Sequence, residues 1–533
     1  MTMIEMTLLL FQLFGFYLYS PTSICFKMQF SVILLALATY TSPPEPVGSS
    51  LSDFKDRVFK NSPASAAFLV MAVIQFKLFQ RVLRFERIKA IKSKYGYTED
   101  SATWKDMTID QAQEIERNIA EWEFPRLFQF AWVSGLLRAL TNPGVSRALI
   151  KSGYMVNLDQ MIEHNRLQTT IYMMSGMMAY RIGSRNHSLI ISRINEHHHR
   201  YGKWINSDDV LYLIIHFAMA PVSWINKFGY RSLEGFEVDA LRILWRELGC
   251  RMGVKCIPET LDQAKEWRTK FEETSRWRAD TNQTAGMALM NQIMWSVPSM
   301  LKPLTRKILV SILDWDVVHF CQFEKLGRSL TLRSTAFSFF RLCGFCIREF
   351  GAPRYGPYKR VPDGPNKNGL INFGHTPYDT LPFFQERSLW NLYGYGALLR
   401  RAFDIPLPSP RFYSGGIAIE SMGAPQDSAE TQAMVDEKVR ENAAVLEQAP
   451  YGYRPAIGYQ AGRLLRPVDG PSYGLDMNTF PELTILIPAS TERFENKFQR
   501  RALEDVVAFD DGEIAAPEVE DIHDSSSMVL VSA

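Results

Sequence analysis

The chain has 533 residues, of which 46% are hydrophobic and 22% charged, a balance typical of folded protein. Its 59 Lys and Arg nearly match its 57 Asp and Glu, so the net charge gives no reason to expect a nucleic-acid partner. A mean hydropathy of −0.12 argues against a polytopic membrane protein, and six cysteines in so long a chain are too few for a disulfide framework.

Residues 1–61 form an apolar N-terminal extension. Charged residues are absent from 6 to 26 and again from 28 to 44. The first run is long enough to span a bilayer, whereas the apolar part of the second, 30–40, has the length of a signal-peptide core. The pattern fits either a signal-like segment or an extra membrane segment, and both interpretations stay open.

Residues 62–84 are predicted to form a transmembrane anchor. Ser62–Phe76 carries no charge and would be ~22 Å long as a helix; continued for two more turns, with Lys77 and Arg81 snorkelling, it approaches the ~30 Å hydrocarbon thickness. Basic residues dominate the following segment, 85–107, up to Lys94. By the positive-inside rule that side faces the cytosol. A buried amphipathic helix with a basic solvent face is the alternative.

Helical periodicity dominates residues 108–448, without the sustained alternation that would predict a sheet. The predicted helices, in chain order, are 108–120, 127–140, 158–180, 188–201, 208–217, 232–248, 261–277, 284–294, 304–318, 390–403 and 427–447. Short connections favour packed antiparallel neighbours, so we predict one all-α domain. The Gly- and Pro-rich segment 351–382 is predicted to be a wrapped loop or lid, and 449–533 a low-complexity, partly acidic, disordered tail.

His197, His198 and His199 are candidates for a functional site, because neutral imidazole is a common ligand for haem iron, non-haem iron and zinc. Successive helical residues point about 100° apart, so the three rings cannot bind one metal together. His198 stacks over Ile191 and Ile194, which weakly favours it as the inward-facing ring. A solvent-exposed cluster at a helix end is the alternative interpretation.

Arg166 and Thr170 lie four residues apart and therefore share one face of a predicted helix. Four methionines follow at helical spacing: Met173, Met174, Met177 and Met178. An arginine and a hydroxyl on a Met-lined surface would form an apolar pocket with two polar groups able to hold a bound oxygen or an oxyanion. Plain core packing of the methionines is the commoner alternative.

Short motifs follow one another downstream of the anchor and the basic segment. They are Glu123-Phe124-Pro125, Arg166-x-x-x-Thr170, His198-x-x-Tyr201-Gly202, Asp209-Val210-Leu211-Tyr212, Phe236-Glu237-Val238-Asp239, Leu381-Pro382-Phe383-Phe384, Trp390-Asn391 and Gly394. Their order resembles that in the ER-bound oxygenases of the mycophenolic acid pathway (the MpaB type), which share a catalytic domain with the latex-clearing rubber oxygenases. The resemblance covers residues 64–447.

This resemblance implies an all-α, globin-like domain that holds haem b and cleaves an isoprenoid carbon–carbon double bond with dioxygen. Carried over by motif, His198 would be the proximal iron ligand, and Arg166 and Thr170 would line the distal side. Thr169 stands where the rubber oxygenases have a lysine. Those enzymes also use a distal carboxylate upstream of the arginine, whereas this chain has no Asp or Glu between 124 and 158.

We therefore predict a haem b-dependent oxidoreductase, an oxygenase anchored in the endoplasmic reticulum membrane with its catalytic domain facing the cytosol. Its partners would be O₂, a lipophilic isoprenoid-type substrate and membrane lipid, and no nucleic acid. The candidate catalytic residues are Arg166, Thr169 and Thr170. Arg166 and His198 would bind the cofactor, with His198 holding the iron and His197 as its rival.

Two alternatives stay open. One is a membrane-tethered helical binding or scaffold protein without catalysis, which the missing upstream carboxylate favours. The other is a non-haem metal enzyme that uses the histidine cluster.

Overall fold

A computed structural model describes residues 63–152, 160–295, 297–351, 353–372, 388–403, 405, 407, 415–423 and 428–459. The predicted extension, 1–61, and the tail beyond Tyr459 lie outside the described residues. Within these ranges the regular structure is helical, apart from one isolated antiparallel bridge between Ile371 and Ile417. The prediction of an all-α fold is confirmed.

The helices have the following bounds. They are α1 (Pro63–Tyr95), α2 (Ile109–Arg117), α3 (Pro125–Ala139), α4 (Pro143–Lys151), α5 (Gln160–Ala179), α6 (Arg185–Arg200), α7 (Ser207–Phe228), α8 (Gly235–Arg251), α9 (Leu261–Ser275), α10 (Asp280–Ile293), α11 (Lys302–Ile312), α12 (Trp315–Phe320), α13 (Leu330–Phe350), α14 (Leu389–Tyr393), α15 (Tyr395–Ala402) and α16 (Ala429–Gln448). A π-helical turn, Asn118–Glu123, joins α2 to α3.

Three predicted helix boundaries are wrong, each for a local reason. The helix expected to end at Phe217 continues as α7 through Pro221, since buried residues on both sides of the proline hold the helix in the core. The helix expected at 304–318 is divided because Leu313 adopts extended backbone, with ψ 152°. Gly394, with ψ 169°, divides α14 from α15 in the same way.

Helix α7 lies at the centre of the domain. It packs against α3 on one side and α8 on another, and twelve of its residues are buried. Among the described residues, it is the helix long and apolar enough to span a bilayer. Because its apolar residues contact other helices, we interpret it as a core helix rather than a membrane span.

The C-terminal part of α1 is docked on the domain. Gln80 and Arg84 are buried, and the Arg84 guanidinium donates a hydrogen bond to the carbonyl of Gly351. Lys77 Nζ donates to the carbonyl of Phe350 at 3.2 Å. Lys77, predicted to snorkel towards lipid headgroups, therefore bonds protein backbone instead, and the protein already contacts α1 inside the predicted span 62–84.

The predicted wrapped loop crosses the π-helical turn. The backbone N–H of Tyr358 donates to the carbonyl of Glu121 at 2.7 Å. Arg360, 3% exposed, forms a bidentate pair with the fully buried Glu116 and a further bond to Glu121. A buried arginine between two carboxylates fixes this loop to the domain.

The first residues of the predicted tail also belong to the folded domain. Ile457 is 6% exposed, and the backbone N–H of Gly452 donates to Glu247 at 2.8 Å. Gly253, with φ 73°, leaves no room for a Cβ beside Pro455 and Ile457. The prediction of a disordered tail starting at 449 is therefore wrong as far as 459.

Asp209, at the start of α7, is a buried acid with an incomplete set of partners. Its Oδ1 accepts a hydrogen bond from Asn142 at 2.8 Å, whereas Oδ2 is buried without a partner among the described residues. Burial raises the pKa of Asp209 to about 6. The folded state therefore holds this proton more tightly than the unfolded chain does, and the stability gained is lost as the pH rises from about 4 to about 6.

We expect Asp209→Asn to remove this loss. Wild type loses stability as Asp209 ionises, whereas the amide of the variant has no charge to desolvate. The difference in free energy of unfolding, variant minus wild type, should therefore increase by up to about 3 kcal/mol from pH 4 to pH 7. Urea titrations across that range measure the difference. Asp262→Asn, a substitution at an exposed side chain, is the control and should keep the wild-type profile; a parallel Asp209→Asn profile would contradict the assignment.

Candidate active site

Helices α5 and α6 form a hairpin, closed by the short turn between Ala179 and Arg185. Gly176 lies so close to the side chain of Ile190 that a Cβ would clash with it. This contact sets the register of the two helices. Thr169 precedes Gly176 by seven residues and His197 follows Ile190 by seven, so the two predicted groups of site residues lie at the same level of the hairpin.

The three histidines face three different partners. His197 Nε2 lies 3.1 Å from the carbonyl of Met422, and His199 Nδ1 lies 3.0 Å from the carbonyl of Ile457. A carbonyl oxygen only accepts, so both of these ring nitrogens carry their protons. Gly423 also packs against Nε2 of His197, where a Cβ would not fit. Nε2 of His197 is therefore occupied, whereas its Nδ1 is buried without a hydrogen-bond partner among the described residues, and the ring of His199 is exposed.

His198 differs from its neighbours because its partner is a side-chain hydroxyl, which fixes the tautomer through a hydrogen-bond chain. Its Nδ1 lies 3.0 Å from the hydroxyl of Tyr459, and that hydroxyl donates to the carbonyl of Met252 at 2.7 Å. Tyr459 uses its only hydroxyl proton in the bond to Met252. In the contact between Tyr459 and His198, the hydroxyl oxygen therefore accepts and Nδ1 donates. Nε2 then carries the lone pair, and it makes no hydrogen bond within the described residues.

This state is held at neutral pH. Burial lowers the pKa of His198 to about 4, so the ring is uncharged. Burial and the Arg193 guanidinium also hold the pKa of His197 well below its ordinary value. A neutral imidazole whose N–H donates to a second group has the arrangement that protein metal ligands adopt.

The predicted distal residues lie on α5. Thr169 is 1% exposed, and Arg166 and Thr170 are half-buried. Both threonine hydroxyls donate to the backbone carbonyl of Arg166 at 2.9 Å. In this rotamer each hydroxyl can accept a hydrogen bond but has no proton left to donate, so the predicted polarisation of a bound oxygen by Thr170 requires its hydroxyl to rotate.

The sequence was compared with known proteins and with protein-family models. No protein-family model matches the chain. ER-bound oxygenase mpaB' of Penicillium brevicompactum is 23% identical over 375 residues, 67% of this chain and 87% of that protein. ER-bound oxygenase mpaB of Penicillium roqueforti is 27% identical over 223 residues, 41% of this chain and 72% of that protein. This chain is similar to the MpaB-type ER-bound oxygenases.

The site residues predicted from the resemblance lie on two helices, and one of the motifs lies outside the residues that the structure describes. His198 lies on α6, and Arg166, Thr169 and Thr170 lie on α5. The Leu381–Phe384 motif lies outside the described residues. The methionines of α5 are largely core, with Met173, Met177 and Met178 at most 4% exposed, which agrees with the packing interpretation.

Sequence reasoning missed the residues that orient the ring of His198. Tyr459 and Met252 are 207 residues apart, and Tyr459 follows His198 by 261 residues. Spacing alone cannot pair such distant positions. The available signal was the recurrence of Tyr453, Ile457 and Tyr459 in a segment otherwise rich in Gly and Pro, which indicates a chain packed against apolar surface.

Proposed function

We propose that this protein is a membrane-anchored, haem b-dependent oxygenase in which Nε2 of His198 holds the iron. The observation that carries the proposal is the chain from His198 Nδ1 through Tyr459 to Met252, because it presents an unprotonated, unbonded Nε2. The relatives' names support the class of reaction and an attachment to the endoplasmic reticulum. The basic segment after the anchor supports a cytosolic catalytic domain.

A bound haem b would supply ferrous iron, which reacts with dioxygen. The chain's own contribution starts at His198, whose hydrogen-bonded Nδ1 increases the basicity of Nε2 and fixes the plane of the ring. Arg166 would hold a permanent positive charge and hydrogen-bond donors on the facing helix. Thr169 and Thr170 would accept hydrogen bonds there, or donate after rotation.

A lipophilic, isoprenoid-type substrate is proposed on two grounds. The uncharged run 62–76 of the predicted anchor would hold the domain at the membrane, where prenyl chains partition. On α5, the partly buried Ile171 and Met174, rather than the core methionines, would exclude water from a hydrocarbon chain. Arg166, and the threonines after rotation of their hydroxyls, would be the polar groups that interact with oxygen.

The proposal is tested by turnover. Haem-loaded full-length protein in lipid nanodiscs should consume O₂ and form carbonyl products from a polyprenyl substrate, detected by hydrazone formation. Arg166→Ala should slow turnover by about 10²-fold or more, through loss of a charge that stabilises developing negative charge, while the Soret absorbance remains. Oxygen consumption that is unchanged in Arg166→Ala would contradict the proposed role.

Tyr459→Phe tests the hydrogen-bond chain separately from turnover. Without the acceptor hydroxyl, we expect haem affinity to fall about 10–100-fold, as for other ligand-orienting partners. The rate of haem transfer to apomyoglobin measures this change. Tyr453→Phe removes a hydroxyl that has no hydrogen-bond partner in the described ranges and should leave the rate unchanged; equal rates in both variants would contradict the orienting role of Tyr459.

One feature of the sequence supports the alternative of a non-catalytic binding or scaffold protein. Residues 125–157 contain no Asp or Glu, so the acid that the rubber oxygenases place upstream of the arginine has no counterpart. The non-haem alternative is weaker, because the three imidazoles diverge. In the part of the chain that the structure describes, no group of three or more His, Cys, Asp or Glu side chains is arranged to hold a metal ion.

A further inference from the structure

The C-terminal half of α13 exposes an apolar stripe. Leu342, Phe345 and Phe350 are 56%, 55% and 53% exposed, and Cys346 is exposed between them. At about 100° per residue these four side chains lie on one side of the helix. Large apolar side chains grouped on a surface in this way are typical of a contact with a partner or a membrane.

Close packing fixes which way this stripe faces. Gly344 lies on the opposite side of α13, where a Cβ would be 2.5 Å from the carbonyl oxygen of Phe228 at the end of α7. No larger residue fits at this point without moving the helix. The stripe is therefore held outward by the core and cannot turn inward to bury itself.

The stripe lies where α1 leaves the domain. Lys77 donates to the backbone of Phe350 and stands 5.8 Å from the centre of its ring. Arg81, one turn further along α1, pairs with Glu349 at 3.5 Å. Immediately before Lys77 comes the uncharged run 62–76, the proposed membrane segment. The apolar stripe is thus continuous with the point at which α1 would enter a bilayer.

The charges around the stripe suit a lipid surface. Its one acid, Glu349, is compensated by Arg81 and by Arg348 at 3.4 Å. Arg341 and Arg348 are exposed along one border, and Arg81 is exposed along another. Basic side chains beside aromatic and aliphatic ones favour the headgroup region of an anionic bilayer.

We propose that the stripe formed by Leu342, Phe345, Cys346 and Phe350 lies in the bilayer interface beside the anchor. This second lipid contact, beside the docked part of α1, would fix the orientation of the catalytic domain relative to the bilayer. The inference rests on the membrane attachment in the proposed function, and its test does not depend on haem or turnover.

Two native cysteines provide a matched pair of probes. Cys346 lies in the stripe, whereas Cys256 is exposed in the loop after α8. The triple variant Cys25→Ser/Cys256→Ser/Cys343→Ser leaves Cys346 for labelling, and Cys25→Ser/Cys343→Ser/Cys346→Ser leaves Cys256. Cys250 and Cys321, 2% and 0% exposed, are shielded from the reagent. Each full-length variant is labelled with the fluorophore NBD and inserted into phosphatidylcholine–phosphatidylserine vesicles.

Nitroxide lipids labelled near the headgroup should quench the Cys346 probe at least about twofold more than the Cys256 probe. Equal quenching at the two positions would overturn the proposal. So would a blue-shifted but unquenched Cys346 probe, which would mean that another part of the chain covers the stripe. A probe introduced by Ala72→Cys reports the anchor separately, and the Soret absorbance of unlabelled protein reports the proposed cofactor, so failures of the three claims are distinguishable.

Discussion

Replacing His198 with alanine is expected to remove most of the Soret absorbance of the purified protein. The substitution deletes a lone-pair nitrogen, Nε2, on a neutral ring whose other nitrogen is oriented by Tyr459, so the affinity for haem should fall by more than about tenfold. Absorption spectra of full-length variants, expressed with excess haem precursor and normalised to protein, measure the effect.

The neighbouring histidines are the matched controls. His199→Ala removes an exposed ring bonded to a backbone carbonyl and should keep the wild-type spectrum. His197→Ala breaks the contact with Met422 and should lower stability while the spectrum remains. Imidazole added to His198→Gly should restore absorbance, which separates loss of a ligand from loss of the fold. A spectrum that persists in His198→Ala but disappears in His197→Ala would transfer the ligand role to His197.

The largest effect on stability is expected at Arg360. Arg360→Ala leaves Glu116 and Glu121 buried without their cation, a situation that costs about 3–5 kcal/mol for a buried ion pair. The free energy of unfolding from urea titration should fall by that amount. Lys359→Ala, which removes the adjacent surface pair with Asp363, should change it by less than about 0.5 kcal/mol.

A combined variant distinguishes the uncompensated charge from lost packing. Glu116→Gln and Glu121→Gln combined with Arg360→Met in one variant remove all three charges and keep much of the buried volume, so this combined variant should be more stable than Arg360→Ala alone. If the combined variant is no more stable, the destabilisation comes from packing, and the ion pair is not what fixes the loop.

The helical pattern of the sequence was sufficient for the fold class but not for every boundary. The periodicity of apolar residues predicts α2, α3, α5, α6 and α8 to within a few residues. It fails at Pro221, where burial outweighs the local preference of proline, and at Leu313, where the chain turns without a Gly or Pro. Such outcomes depend on neighbours that a sequence window does not contain.

The candidate site was predictable in part. The helical wheel and the motif order both selected His198, and the hairpin register brings it to the level of Thr169. The tautomer of His198 was not predictable, because it depends on Tyr459, placed by composition in a disordered tail. The hydrogen bonds from Thr169 and Thr170 to the carbonyl of Arg166 were not predictable either, because they depend on the side-chain rotamers.

The most direct test of the account is the absorption spectrum of purified full-length protein, oxidised and then reduced with dithionite, together with a pyridine haemochrome assay. The account predicts a Soret band that shifts on reduction and about one haem b for each chain. A colourless protein after expression with ample haem, or iron bound without a porphyrin spectrum, would contradict it.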